Sequence, residues 1–177
     1  MELSSIMRFQ KSGRNWTAFG LTVLLLFFLG QNLGRAADTD IVINEIMYHP
    51  DTDCENEEFI EIYNRSASQS VDIGNWQFID GIYHTFPPGT ILGPGQFAVV
   101  CENIPAFNDF YGTPTLTYLG QWTGKLANDG EPVELVNDLL QTIDRVRYND
   151  KRPWPISADG DGPSLELINP NDDNTSA

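Results

Sequence analysis

From Ile41 onward the chain is interrupted every few residues by glycine, proline, asparagine or aspartate, and no long segment carries the 3.6-residue apolar period of a helix. Short, β-branched-rich runs between such breaks read as strands. They fall at residues 41–48, 59–63, 71–73, 76–79, 83–86, 90–92, 96–100, 118–122, 132–136, 142–148 and 165–167. Pro87-Pro88-Gly89 is a breaker that no ladder or helix interior tolerates, so it predicts a corner between sheets. One helix of two turns is expected over 103–111, with Asn103 as its cap and Pro105 in the first turn. Eight or nine strands drawn from these runs predict an all-β fold, an antiparallel sandwich or barrel. Alternation within the strands places Trp76, Phe78, Phe97, Val99, Leu135, Leu165 and Leu167 in its core.

The first residues are of another kind. Arg8, Lys11 and Arg14 precede the apolar run 16–30, and Gly34-Arg35-Ala36-Ala37 ends it with small residues. That order describes a secretory signal peptide over residues 1–36, cut after Ala36. The alternative is an uncleaved membrane anchor, but the run falls short of the ~20 apolar residues that a span needs. After cleavage the chain is expected outside the cell or at its surface, with no stable span.

Charge narrows the function. The whole chain carries 25 acidic and 10 basic side chains, a net charge of -15. Removing residues 1–36 takes away Glu2 and four basic residues, leaving 24 acidic against 6 basic, or -18 over 141 residues. A nucleic-acid binder needs a basic footprint and is excluded. The 11% aromatic content is too high for a disordered acidic tail. A domain of this length buries enough surface to fold without a metal or disulfide framework. Cys54 and Cys101 can pair in an oxidising compartment, or stand as two separate thiols.

Residues that carry chemistry are sparse. His49 and His84 lie beside turns, and neither has the neighbours of a zinc site. No nucleophile elbow, P-loop or dinucleotide fingerprint is present. Glu45 and Glu61 on neighbouring strands are the one candidate carboxylate pair of the glycosidase kind, set against the commoner reading of acids on a solvated sheet face. Trp76 and Trp122 can serve as ligand-stacking platforms, although core packing suits them better. Acidic loops at 51–58 and 159–162 raise calcium, with Asp159 and Asp161 as the weak candidate ligands, but Asp-Gly is also an ordinary turn pair. Asn64-Arg65-Ser66 and Asn174-Thr175-Ser176 match the glycosylation sequon. No catalytic residue and no cofactor other than that calcium are expected.

A set of motifs taken together resembles a known family. Glu58-Phe59-Ile60-Glu61-Ile62-Tyr63-Asn64-Arg65-Ser66, Gly74-Asn75-Trp76, Phe86-Pro87-Pro88-Gly89 and Leu92-Gly93-Pro94-Gly95-Gln96 follow one another as in lamin-tail domains. Residues 126–135, the opening 43–50 and the closing 158–166 are similar to its secreted bacterial branch, so the likeness spans about 41–174. It implies an immunoglobulin-like β-sandwich and a non-catalytic module that binds a protein or surface component. It also implies a setting beside hydrolase or phosphoesterase domains, while the acidic loops leave a calcium-binding adhesion module as a further alternative. Family members continue with a Trp-containing segment that does not follow Asn174, which implies a piece of a longer multidomain protein or a domain without its final strand.

Overall fold

Strand β1 (Ile41–Met47) pairs on one side with β2 (Phe59–Asn64) and on the other with the two-residue β11 (Leu165–Glu166). The computed structural model describes residues 38–51, 56–112 and 116–175, which excludes the expected signal segment and Cys54. β7 (Phe97–Cys101) and β8 (Tyr118–Gln121) complete a five-stranded sheet in the order β11-β1-β2-β7-β8. Four strands form a second sheet in the order β10-β9-β4-β5: β4 (Gln77–Asp80), β5 (His84–Thr85), β9 (Pro132–Val136) and β10 (Thr142–Arg147). A two-stranded ribbon joins β3 (Val71–Asp72) to β6 (Ile91–Leu92).

Between the sheets lie Ile60 and Ile62 of β2, Ala98 and Val100 of β7, Phe78 of β4 and Leu135 of β9, all within one buried cluster. Period 2 explains this half of the core. Of the residues expected there, Trp76, Phe78, Leu135 and Leu165 are buried. Phe97 is 38% exposed, and Leu167 is only partly buried at the sheet edge. Val99 is buried, but on the outer face of its sheet. β7 is apolar on both faces, and helix α1 (Ile104–Tyr111) covers the outer one, packing Phe107 over Phe59, Val99 and Cys101. Phe97 is of the same parity as Val99 but escapes that cover.

The helix forms as its cap predicts: the Asn103 side chain accepts from the Ala106 amide at 3.1 Å. It also corrects the expectation of a wholly antiparallel fold. β7 and β8 run parallel, and a parallel pair needs a crossover that no hairpin supplies. α1 is that crossover.

Asn75, just before Trp76, takes the left-handed conformation at φ 65°. Gly74 serves a different need. A Cβ there would lie 2.6 Å from the Gly89 amide nitrogen, so the Pro87-Pro88-Gly89 corner packs directly on its backbone.

Candidate functional site: an acidic seam across the five-stranded sheet

The site begins with an irregularity in β1. Ile41 and Ile43 face the core, and so do Ile46 and Tyr48, so the inward parity changes between residues 43 and 46. The register with β2 slips between Ile43 and Glu45 to allow this. A bulge of this kind turns neighbouring side chains toward one face and re-aims them. Here it delivers Asn44 and Glu45 together to the outer face, beside Glu61.

Pairing completes a row of three carboxylates. Glu45 is opposite Glu61 on β2 and opposite Glu166 on β11. Side chains directly across a ladder have Cβ atoms about 4.5–5.5 Å apart, and like charges so placed repel. The row is held by local donors: the Ser164 hydroxyl donates to Glu45, and Asn44 Nδ2 donates to Glu61 Oε1 at 2.9 Å. Burial pushes the Glu61 carboxyl up to about 7; the Asn44 hydrogen bond opposes the rise, and the charges of Glu45 and Glu166 add to it. Glu45 is raised for the same reasons, burial first, with Ser164 opposing and Glu166 adding.

The seam lines a cleft of about 410 Å³. Its rim is apolar and aromatic: Tyr63 and Phe97 stack at 4.6 Å, and Leu167, Ile168 and Pro170 border the other side. On the far side of β11 lies an apolar cleft of about 360 Å³, whose lining includes Ile46, Val146, Trp154, Pro155 and Leu165.

The structure brings Glu45 and Glu61 together as the sequence suggested, and adds Glu166, which no local pattern marks. Most of the other candidates have structural employment. Asp159 Oδ1 lies 2.7 Å from His49 Nδ1, while Asp161 is exposed. Among the described residues no three His, Cys, Asp or Glu side chains are grouped to hold a metal ion. His84 Nδ1 lies 3.0 Å from the Gln121 carbonyl, to which it donates, so Nε2 accepts from the Tyr118 hydroxyl at 3.2 Å. Burial lowers the His84 pKa, which suits this neutral form. Trp76 and Trp122 are both buried, so neither is a stacking platform. Cys101 is a free, buried thiol that donates to the Gly120 carbonyl, and burial raises its pKa to about 11. The sequon residue Asn64 is fully buried, with its amide donating to the Gln69 and Leu92 carbonyls. In the folded domain it has no room for a glycan.

Glu58 is a further site that sequence reasoning missed. It is 2% exposed, accepts from the Leu126 amide at 2.9 Å, and is pushed to about 7 mainly by burial. Its role is to pin the segment around Leu126 onto β2. The signal was available: Glu58 shares the parity of Ile60 and Ile62, the inward face.

Two packed sheets, antiparallel but for the β7–β8 pair, define an immunoglobulin-like β-sandwich module. The family model of the Lamin Tail Domain matches residues 35–150. The chain belongs to that family. No match is found among curated proteins. The matched region stops short of β11, so Ser164 and Glu166 of the seam come from the segment that follows it.

Proposed function

We propose that this chain is a secreted, non-catalytic interaction module of a multidomain protein, and that it engages a positively charged protein or surface component. One observation carries the reading: three in-register carboxylates line an open cleft with an aromatic and apolar rim. Such a cleft suits an ammonium or guanidinium group on an apolar stem, which gains from both charge and ring faces. Against catalysis stands the commitment of the candidate groups. Glu45 is tied to Ser164 and Glu61 to Asn44, and both histidines are held within the fold. An accessory role beside a hydrolase or phosphoesterase domain is compatible with the same surface.

Two measurements test this. Binding to a polylysine-coated surface should weaken with salt. It should fall more when Glu45, Glu61 and Glu166 become Gln than when the exposed Asp109, Asp129 and Asp138 become Asn. Equal loss in the two triple variants would reject the seam as the contact. Panels of phosphoester, glycoside, ester and peptide substrates should show no turnover; turnover abolished by Glu45→Gln or Glu61→Gln would reject the non-catalytic reading.

A further inference from the structure

Strand β11 is a poor partner for the edge that it covers. β1 runs for seven residues, yet β11 pairs with only Glu45 and Ile46. One more backbone bond, from the Leu167 amide to the Asn44 carbonyl, extends the contact. Beyond it, side chains replace a strand: the Ile43 amide donates to Asp144 Oδ2 at 2.6 Å, and the Ile43 carbonyl accepts from Asn174 Nδ2 at 2.9 Å. Asn174 Nδ2 also reaches Asp144 Oδ2 at 2.8 Å, which ties the two caps together. The edge is thus satisfied piecemeal, as exposed sheet edges must be.

The pairing that exists is also mismatched. Glu166 is set opposite Glu45, with Glu61 one strand further on. Ile168, the next residue of outward parity, is fully exposed. Alongside β11 the apolar cleft of about 360 Å³ remains unfilled by its own side chains. A strand with a basic residue in place of Glu166, flanked by apolar residues, would answer all three defects at once.

We propose that the segment 164–174 is a displaceable cover, and that the partner of this module is an extended polypeptide that adds to the β1 edge with a Lys or Arg opposite Glu45. Main-chain bonds to β1 supply affinity in such strand addition, and side-chain pockets supply specificity. A second copy of this chain is a weaker donor, because its own strand would return Glu166 to the same place. The proposal rests on the reading of the domain as an interaction module and specifies how it binds: Glu45 and Glu61 remain as the contacting acids, and the partner's basic residue takes the place that Glu166 holds in the covered state.

The test uses the full chain and a fluorescent peptide of residues 162–174 carrying Glu166→Lys. Saturable binding is expected, about fivefold or more tighter than for the unaltered peptide or for a scrambled peptide of the same composition. The chain with Glu166→Lys in its own cover should bind the peptide at least about fivefold more weakly than the native chain, since its cover is better held. An Ile46→Cys/Leu165→Cys variant, which keeps Glu45 and uses the other in-register pair of β1 and β11, should lose binding when oxidised to lock β11 in place and regain it on reduction. Equal binding of the lysine, native and scrambled peptides, undiminished binding to the locked variant, or no binding at all would overturn strand addition. None of these outcomes touches the interaction-module reading, which the turnover and polylysine measurements decide.

Discussion

Glu61→Gln is the sharpest perturbation of the seam, because it removes one of three crowded charges and keeps the shape. The Gln side-chain oxygen can still accept from Asn44 Nδ2, so the hydrogen bond of the native pair survives. The native carboxyl rises from its ordinary 4.5 to about 7 on folding. At 1.36 kcal/mol per pH unit, the ionised form is disfavoured in the fold by at most about 3.4 kcal/mol. Glu61 is only half-buried and faces an open cleft, so solvent reduces this to about 1–2 kcal/mol. The sign follows from linkage: a carboxylate whose folded pKa is raised is most stabilising when protonated, below pH 4.5, and that contribution is lost as pH climbs through 7. At pH 8 the variant should therefore be more stable than the native chain by about 1–2 kcal/mol, and melt a few degrees higher. At pH 4 the two should coincide. Urea unfolding at a series of pH values reads the difference directly, and it cancels Glu58, which titrates in the same range in both proteins. A variant that is destabilised at pH 8, or stabilised equally at pH 4 and pH 8, would refute the account of Glu61 as a carboxylate disfavoured by burial and, beyond that, by its two acidic neighbours.

Other outcomes follow from the packing. Trp76→Ala empties a ring site that is 2% exposed and should cost about 3–5 kcal/mol in chemical unfolding; a loss below about 1 kcal/mol would place the ring outside the core. Gly74→Ala drives a methyl to within 2.6 Å of the Gly89 amide nitrogen, so thermal melting should drop by several degrees, whereas Gly89→Ala meets strain only from its φ of 77°. Calorimetric melting with excess chelator should match melting without it, because Asp159 is engaged with His49; a drop of about ten degrees, an effect of several kcal/mol, would restore Asp159 and Asp161 as calcium ligands.

Much of the fold was legible because period 2 is a local property. Phe78, Leu135 and the inward side of β2 follow from alternation alone, and the Asn103 cap with Pro105 marks its helix without reference to anything distant. The errors fall where a second layer intervenes. In β7 every residue is apolar, so alternation cannot say which parity faces the other sheet; α1 buries Val99 on the outer face and stops short of Phe97. Leu167 fails for a related reason, as β11 ends before it and leaves it at the margin.

The seam shows the same division more sharply. Residue types and strand order suffice to propose Glu45 and Glu61 as neighbours, since β1 and β2 are consecutive. The bulge that turns Asn44 and Glu45 to one face leaves no mark that composition or periodicity can detect, because it reflects a slip between two strands. Glu166 lies more than a hundred residues along the chain from both glutamates, and its place opposite Glu45 depends on where the segment after β10 comes to rest. Local sequence determines which residues can be strands and which faces can be apolar. Register between distant strands is a balance of packing, backbone pairing and charge summed over the whole domain, and only the folded chain strikes it.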